Sequence, residues 1–228
     1  MTIWAISDLH LSIASDKPMD VFGPRWDRHA EKIGENWRRL VAPEDTVLVA
    51  GDISWGMDFE QAMPDLLWLH DLPGRKIISR GNHDYWWKKI SWMRKNLPPS
   101  LVPMQNDSIE VEGRTVCACR GWTIPIKSSE SYEQDKRLFE RERIRLQLSL
   151  DSAPHRSGAI VMIHFPPFVD NSAGPGFTDI LEAGGVSTVV YGHLHADDAK
   201  TAFSGMRNGI RYLFASCDGI DFSPVKVE

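Results

Sequence analysis

At 228 residues, with 42% hydrophobic and 25% charged side chains, the chain is long enough to bury one sizeable core and short for two, and its balance is that of a globular protein. A net charge of -5 argues against a broadly basic nucleic-acid-binding face, although a local basic groove is compatible with it, and no apolar run approaches the ~18–20 residues that cross a bilayer. One domain over residues 1–228 is expected, acting on a small substrate, with no strong nucleic-acid signature, no membrane partner and nothing that sets an oligomeric state.

Residues 1–7 run into Asp8 without a basic region, a long apolar stretch or a small-residue cleavage site, so a cytoplasmic location is the expectation. Residues 2–7 read as a strand and 27–41 as a helix, with Ile33, Trp37, Leu40 and Val41 on its inner side and Asp27 placed to cap it. A strand over 46–50 and a helix over 59–72 repeat the rhythm, the helix ended or kinked in its first turn by Pro64. A third strand, 76–79, leads through Gly81-Asn82-His83-Asp84 into a helix over 85–97 that Asp84 can cap. Short β-branched runs alternating with amphipathic stretches point to βαβ units.

From residue 101 to 120 the pattern changes to strands, read as an antiparallel addition, with Glu112-Gly113 turning a hairpin between 108–111 and 115–118. Residues 132–150 are strongly charged, yet Leu138, Phe139, Ile144, Leu146 and Leu148 give them a partly apolar side, so they read as an exposed helix with a solvated charged face. Strands return over 159–163 and 188–191, a short helix lies over 178–183, and Asn208-Gly209 marks a last hairpin. The expected architecture is α/β, with helices outside and two sheets, one parallel and the later one antiparallel. Cys117 and Cys119 share one face of an extended segment; with Cys217 they read as reduced packing thiols, a metal-binding pair being the alternative.

Five segments set metal-binding side chains directly after an apolar strand: Asp8-Leu9-His10, Gly51-Asp52, Gly81-Asn82-His83-Asp84, His164 and Gly192-His193-Leu194-His195. That is where open α/β sheets place their sites. A lone histidine is more often a satisfied surface or core residue than a ligand, and His29, His70 and His155, outside these segments, are read so. The five together resemble, in order and spacing, the five blocks of the calcineurin-like metallophosphoesterase superfamily, and G-D, G-N-H-D and G-H-x-H in one chain form a specific combination.

The resemblance spans most of the chain and implies a four-layer αββα sandwich of two mixed sheets flanked by helices. It also implies that Asp8, His10 and His195 bind one metal, that Asn82, His164 and His193 bind a second, that Asp52 bridges them, and that His83 faces the substrate phosphate without holding a metal. The chemistry agrees. Two divalent cations bring more positive charge than the Asp8 and Asp52 carboxylates remove, and the surplus favours an anionic phosphoester and a bridging hydroxide near neutral pH. An oxygen and nitrogen donor set without thiolate suits Mn²⁺, the expected ion, with Fe, Zn or Co as alternatives. Gly51, Gly81 and Gly192 precede ligands and permit the tight turns there, or are ordinary turn glycines.

In the Ser/Thr protein phosphatase branch the bridging Asp block continues with a second Asp and an Arg, where this chain has Gly51-Asp52-Ile53-Ser54-Trp55-Gly56. That departure argues against a protein phosphatase and removes the usual Asp partner of the catalytic histidine; Asp84 is either that partner or a helix cap. Aromatics crowd the motifs, among them Trp55, Tyr85, Trp86, Trp87, Trp122, Phe165 and Phe168, and form either a wall for a flat group or core packing. In the basic cluster Arg80, Lys88, Lys89, Arg94 and Lys95, Arg80 is the phosphate-contact candidate, with Trp86 and Trp87 as further substrate contacts. Pro166-Pro167 fixes the exit of the His164 strand, and Gly174-Pro175-Gly176 reads as a mobile loop near it. The expected activity is hydrolysis of a phosphomonoester or phosphodiester by metal-bound hydroxide, leaning to diesters of small or nucleotide-like substrates; the alternative is a catalytically silent interaction scaffold of the same fold.

Overall fold

The structure, a computed structural model, describes residues 1–168 and 176–227, so Gly174 and Pro175 of the expected loop lie outside the described residues. Strands β1 (Ile3–Ile6), β2 (Thr46–Val49), β3 (Arg75–Ile78) and β4 (Leu101–Pro103) lie side by side in parallel. The second sheet is built from β5 (Ser108–Val111), β6 (Arg114–Cys119), β7 (Ile160–Ile163), β8 (Thr188–Tyr191), β9 (Gly205–Arg207) and β10 (Ile210–Phe214), in the order β5-β6-β7-β8-β10-β9. Strand β11 (Val225–Lys226) returns to the first sheet and pairs antiparallel with β1.

Side-chain alternation sorts each strand onto two faces. Val47 and Val49 of β2 face outward with Ile33 and Trp37 of α1 (His29–Leu40), Leu66 and Leu69 of α2 (Phe59–His70) and Met93 of α3 (Ile90–Asn96). On the other side Val161 and Ile163 of β7 meet Phe139, Leu146 and Leu150 of α4 (Tyr132–Asp151) and Phe177 and Leu181 of α5 (Phe177–Ala183). The residues between, Ile3, Ala5, Leu48, Ala50, Val116, Ala118, Ile160, Met162, Val190 and Ala215, form a third buried layer where the sheets face each other. The result is an α/β sandwich of two mixed sheets with helices on both outer sides. Because both faces of each sheet are covered, the strands read as continuous apolar runs.

The second sheet corrects the antiparallel expectation. Strands β6, β7, β8 and β10 are mutually parallel, and only the edge strands β5 and β9 are antiparallel. Those edges sit at the two expected hairpins, where Glu112-Gly113 and Asn208-Gly209 all hold positive φ, as a tight two-residue turn needs. The segment at β4, expected with the antiparallel set, joins the parallel sheet beside β3.

Helix boundaries shift for local reasons. Asp27 does not cap α1: Arg28, at φ 48°, precedes the helix, and no side chain caps it. Pro64 neither ends nor kinks the first turn of α2, which runs through it from an Asp58 cap that accepts from the Glu60 and Gln61 N–H groups at 3.0 Å. Buried Ala62, Leu66 and Leu69 hold that helix to the sheet across the missing bond. The helix expected from residue 85 begins only at Ile90, because Asp84 turns inward. Helix α4 is not simply exposed: Ile144 and Leu148 face solvent while Glu142 is fully buried. A short helix α6 (Ala196–Ala199) follows His195. Among the described residues no helix is long and apolar enough to cross a membrane.

Truncating the inner layer is expected to cost more than its volume suggests, since both sheets bound the resulting hole. Leu48→Ala is predicted to lower unfolding free energy by about 2–5 kcal/mol in chemical denaturation, with the midpoint shifting and the slope unchanged.

Candidate metal centre

Parallel strands bring their C-terminal ends to one rim, so residues following β1, β2, β3, β7 and β8 meet there. Backbone bonds between these loops fix the approach: Asp8 N–H donates to Gly51 O at 2.9 Å, His10 N–H to Asp52 O at 3.0 Å, and Gly192 N–H to His164 O at 3.1 Å. Asp8, His10, Asp52 and His193 all adopt left-handed backbone, at φ 59°, 46°, 51° and 74°. Such backbone costs on the order of 1 kcal/mol or more per residue and persists only where the surroundings enforce it. Gly81 and Gly192 are required by closeness, not by φ: a Cβ at either would fall far inside contact with the Asp52 or Asp8 carboxylate.

Asp84 is the hub of the first half-site, not a helix cap. Its fully buried carboxylate accepts from the N–H groups of Asp52 (2.9 Å), Ile53 (2.8 Å), Ser54 (3.3 Å) and Gly81 (2.8 Å), and from Trp86 Nε1 (3.0 Å). The loops after β2 and β3 are thereby tied together. Trp86 and Trp87 are 1% and 7% exposed and pack in the outer core with Phe59, so neither offers a face to a substrate, which corrects the stacking expectation.

Two donor groups converge at the rim. The ligand atoms of Asp8, His10 and His195 lie within 4.8 Å of one another, as do those of Asp8, Asp52 and His164. His10 Nε2 is 3.2 Å from His195 Nε2, and His164 Nε2 is 2.7 Å from Asn82 Oδ1. Asp52 Oδ2 stands between the groups, 3.8 Å from His10 Nε2 and 3.5 Å from His164 Nε2, while its Oδ1 accepts from His83 N–H at 2.8 Å. His193 belongs to neither tight group, but its ring centroid is 5.1 Å from that of His164, and its N–H binds Asp8 Oδ2 at 2.9 Å.

These residues fit divalent cations. Asp8 Oδ1 is buried without a hydrogen-bond partner, a costly state for a carboxylate oxygen unless a cation meets it. His164 Nδ1 lies 3.0 Å from Ala50 O and His195 Nδ1 2.8 Å from Asp218 Oδ1, arrangements that commit Nδ1 as donor and leave Nε2 free to ligate. Asp218, which also accepts from Ala196 N–H at 3.1 Å, was not singled out from sequence. It lies 23 residues beyond His195, past the last motif, and nothing local marks it.

Burial and carboxylate crowding set the charges of the free protein. Burial raises Asp52 to about 7 against the pull of His164, with Asp8 and Asp84 adding to the rise. Asp8 is driven well below the usual range: burial opposes ionisation, but His164, His195 and His10 overcome it. Burial lowers His195 too, yet the hydrogen bond to Asp218 and the Asp8 carboxylate 3.4 Å away outweigh it and carry the ring to about 10. His193 falls to about 3 through burial and then His164, and is neutral and available as a ligand.

His83 is half-buried, with Nε2 4.0 Å from Asp52 Oδ2 and its ring 4.5 Å from Trp55 and 6.2 Å from Tyr85. Its Nδ1 is buried and, among the described residues, without a hydrogen-bond partner, so Asp84 does not orient the ring through it; aromatic contacts and the His83 N–H bond to Asp52 hold the residue. Burial, then the neighbouring His164, lowers its pKa. The three cysteines are free and buried, and burial raises Cys117 to about 11, so packing is their role.

Two cavities adjoin the rim. One, of about 530 Å³, is walled by Phe165, Phe168, Tyr191, Leu194 and Phe203, with His193 at its edge. The other, of about 170 Å³, is lined by Arg80 together with Arg120, Arg141, Glu142 and Arg145, and by none of the proposed metal ligands.

Residues 1–197 match the family model of the calcineurin-like phosphoesterases. The chain is 27% identical over 208 residues to the Gene 66 protein of Mycobacterium phage D29, covering 90% of this chain and 84% of that one. It is 25% identical over 193 residues to the Gene 66 protein of Mycobacterium phage L5, covering 85% and 77%. Among solved structures, the phosphopantetheinyl hydrolase (PptH) of Mycobacterium tuberculosis superposes with a TM-score of 0.61 at 15% identity, covering 99% of this chain and 95% of that one. A protein of unknown function from Aquifex aeolicus gives 0.54 at 18% identity with the same coverage. At these identities the two structures bear on the fold alone.

Metal affinity is predicted to fall steeply with acidity. An Asp52 whose folded pKa lies above its unfolded value gives the free protein stability that is present below about pH 4 and lost as pH rises through about 7. His195, also raised, does the same between about 6.5 and about 10. Both protons must leave for these groups to ligate, so affinity should drop about tenfold per pH unit between 9 and 7 and more steeply below. Competition with a chelating dye at several pH values measures this, and a flat profile contradicts it. Asp84→Asn is predicted to reduce metal content and lower Tm together, because an amide presents a donor group to the N–H groups its carboxylate now accepts from.

Proposed function

The chain belongs to the calcineurin-like phosphoesterase family and is a metal-dependent phosphoesterase; from that premise we propose that it works at a two-metal centre and prefers small phosphodiesters. The observation that carries the two-metal reading is the position of Asp52 Oδ2 between the His10 and His164 nitrogens. In this reading Asp8, His10 and His195 hold one ion, Asn82, His164 and His193 the other, and Asp52 both. When bound, such ions supply an activated water at neutral pH and offset the charge of a phosphoester. Mn²⁺ is the proposed resident, from a donor set of oxygen and imidazole nitrogen.

The chain's own groups do the remaining work. His83, neutral in the free protein, takes a proton when an anionic phosphoester lies against it and returns it to the departing alkoxide. Its ring needs no carboxylate partner for that, since Trp55 and the Asp52-bound backbone hold it. The cavity walled by Phe165, Phe168 and Leu194 opens beside His193 and takes the organic group, excluding water from one side of the ester. A diester has two organic groups to place, and the Asp-Arg continuation of the Ser/Thr protein phosphatase branch is missing after Asp52, which argues against a phosphoprotein substrate. No observation favours a silent scaffold, because every proposed ligand position carries a competent side chain.

Protein stripped by a chelator is expected to lose turnover of a chromogenic diester and to recover it with Mn²⁺; full turnover without metal ends the two-metal reading. Diesters should outpace phosphoserine and phosphotyrosine peptides, and the reverse ranking would move the substrate class. His83→Ala should keep both metals, slow esters of basic alkoxides by roughly 10²- to 10⁴-fold, and slow nitrophenyl esters less. Metal loss in that variant would make His83 a ligand, and equal slowing of both ester types would make it a charge stabiliser.

A further inference from the structure

The smaller cavity is unlike an ordinary salt-bridge network. Glu142, fully buried, is the carboxylate among the residues that line it, facing Arg145 at 2.6 Å, Arg141 at 3.2 Å and Arg120 at 3.7 Å, all through Oε1. Arg80 also lines the cavity, so among the described residues four arginines share it with one carboxylate, three of them facing that carboxylate directly. Nε of Arg80, Nε of Arg120 and Oε2 of Glu142 are all buried without a hydrogen-bond partner. Burial and the neighbouring Arg80, Arg141 and Arg145 lower the Arg120 pKa against the pull of Glu142, the mark of a place crowded with positive charge. The arginine side chains stay open to solvent, 46% at Arg141, 32% at Arg145 and 17% at Arg120, so an anion entering the cavity can take charged hydrogen bonds from several guanidinium groups at once.

The cavity is fixed to the metal centre by the backbone. Arg80 is two residues before Asn82, roughly 7 Å at most along the chain. Arg120 O accepts from the N–H of His164 at 3.0 Å. Arg80 and Arg120 thus follow the ends of β3 and β6, next to the segments that carry Asn82 and His164, while Arg141, Glu142 and Arg145 come from α4 and the apolar cavity opens beside His193. A volume of about 170 Å³ admits a phosphate group and little more.

We propose that the arginine cavity formed by Arg80, Arg120, Arg141 and Arg145 is a second anion-recognition site, which holds a non-reacting phosphate group of a substrate whose ester phosphate lies at the metal centre. The substrate half rests on the reading under Proposed function; the anion-binding half does not. The substrate class is then a phosphoester carrying a second phosphate on the same small molecule. Glu142 keeps the guanidinium groups spread and ordered before the anion arrives, and the anion takes N–H donors at the exposed ends of the guanidinium groups.

Binding is tested on chelated protein, in which no metal ion competes for the phosphate. Inorganic phosphate, titrated calorimetrically at constant ionic strength, should bind once per chain. Arg80→Gln, Arg145→Gln and Arg141→Gln should each weaken it at least about tenfold, as loss of a charged hydrogen bond would. Arg141 is exposed, so its variant is expected to fold, and Arg145→Lys should bind between wild type and Arg145→Gln. Circular dichroism separates misfolding from lost binding. No phosphate binding, or variants that bind like wild type while folded, overturns the site. In Mn²⁺-loaded protein, adenosine 3′,5′-bisphosphate should inhibit diester hydrolysis at least about tenfold better than adenosine 5′-monophosphate, with the advantage lost in Arg145→Gln. Equal inhibition by the two overturns the substrate class, whereas phosphate binding to a chain that hydrolyses no ester would sink only the proposed activity.

Discussion

The buried Asp84 carboxylate is the interaction on which the site depends. Five N–H donors from two loops and an indole point at its oxygens. A carboxylate so surrounded is costly to bury and equally costly to leave unpaired, so the loops after β2 and β3 have one arrangement that satisfies all of it. In that arrangement Asp52 is forced into left-handed backbone, Gly81 is pressed against it, and Asn82 and His83 follow at the rim. Trp86, whose ring fills the outer core, brings the last donor, so packing and polar satisfaction reinforce each other.

Around that hub the charges divide the rim into regions of different character. The centre is acidic and imidazole-rich, one flank is aromatic and apolar, and the other is dense in arginine. A molecule that meets all three must combine an ester phosphate, an apolar organic part and a further negative charge. Few metabolites do, and the discrimination comes from the sum, since each region alone would accept many ligands.

Much of this was legible in the sequence because metal ligands follow apolar strands in short motifs, and a strand end is a local event. The parallel first sheet, both tight hairpins and the Asp8, Asp52 and His164 neighbourhood could be read that way. What escaped reading depended on distant partners. Asp84 has the sequence position of a helix cap, and only the arrival of the β2 loop makes it a hub. Trp86 and Trp87 sit beside a ligand motif, yet Phe59, far away in sequence, decides that they are core. Glu142 lies in a charged helical run whose pattern says solvent, and Arg120 arrives from another strand to bury it. Asp218 orients His195 across a gap with no periodic signal. The direction of the second sheet was misread because hairpin turns are local and visible, whereas crossovers through α4 and α5 are not.

The inner layer between the sheets has a further meaning when read along the strands toward the rim. On four strands side chains shrink in that direction: Ile3 gives way to Ala5 and Ser7, Leu48 to Ala50, Val116 to Ala118 and Val190 to Gly192, while on β7 Ile160 is followed by Met162. Small side chains, Ser7, Ala50 and Gly192, therefore stand just before Asp8, Asp52 and His193, where the two sheets present them to one rim. Metal geometry is then an inherited property of residues that never touch a ligand. A lineage could retune which ion it accepts by adding or removing a methyl group one strand position inward, leaving every motif of the site intact.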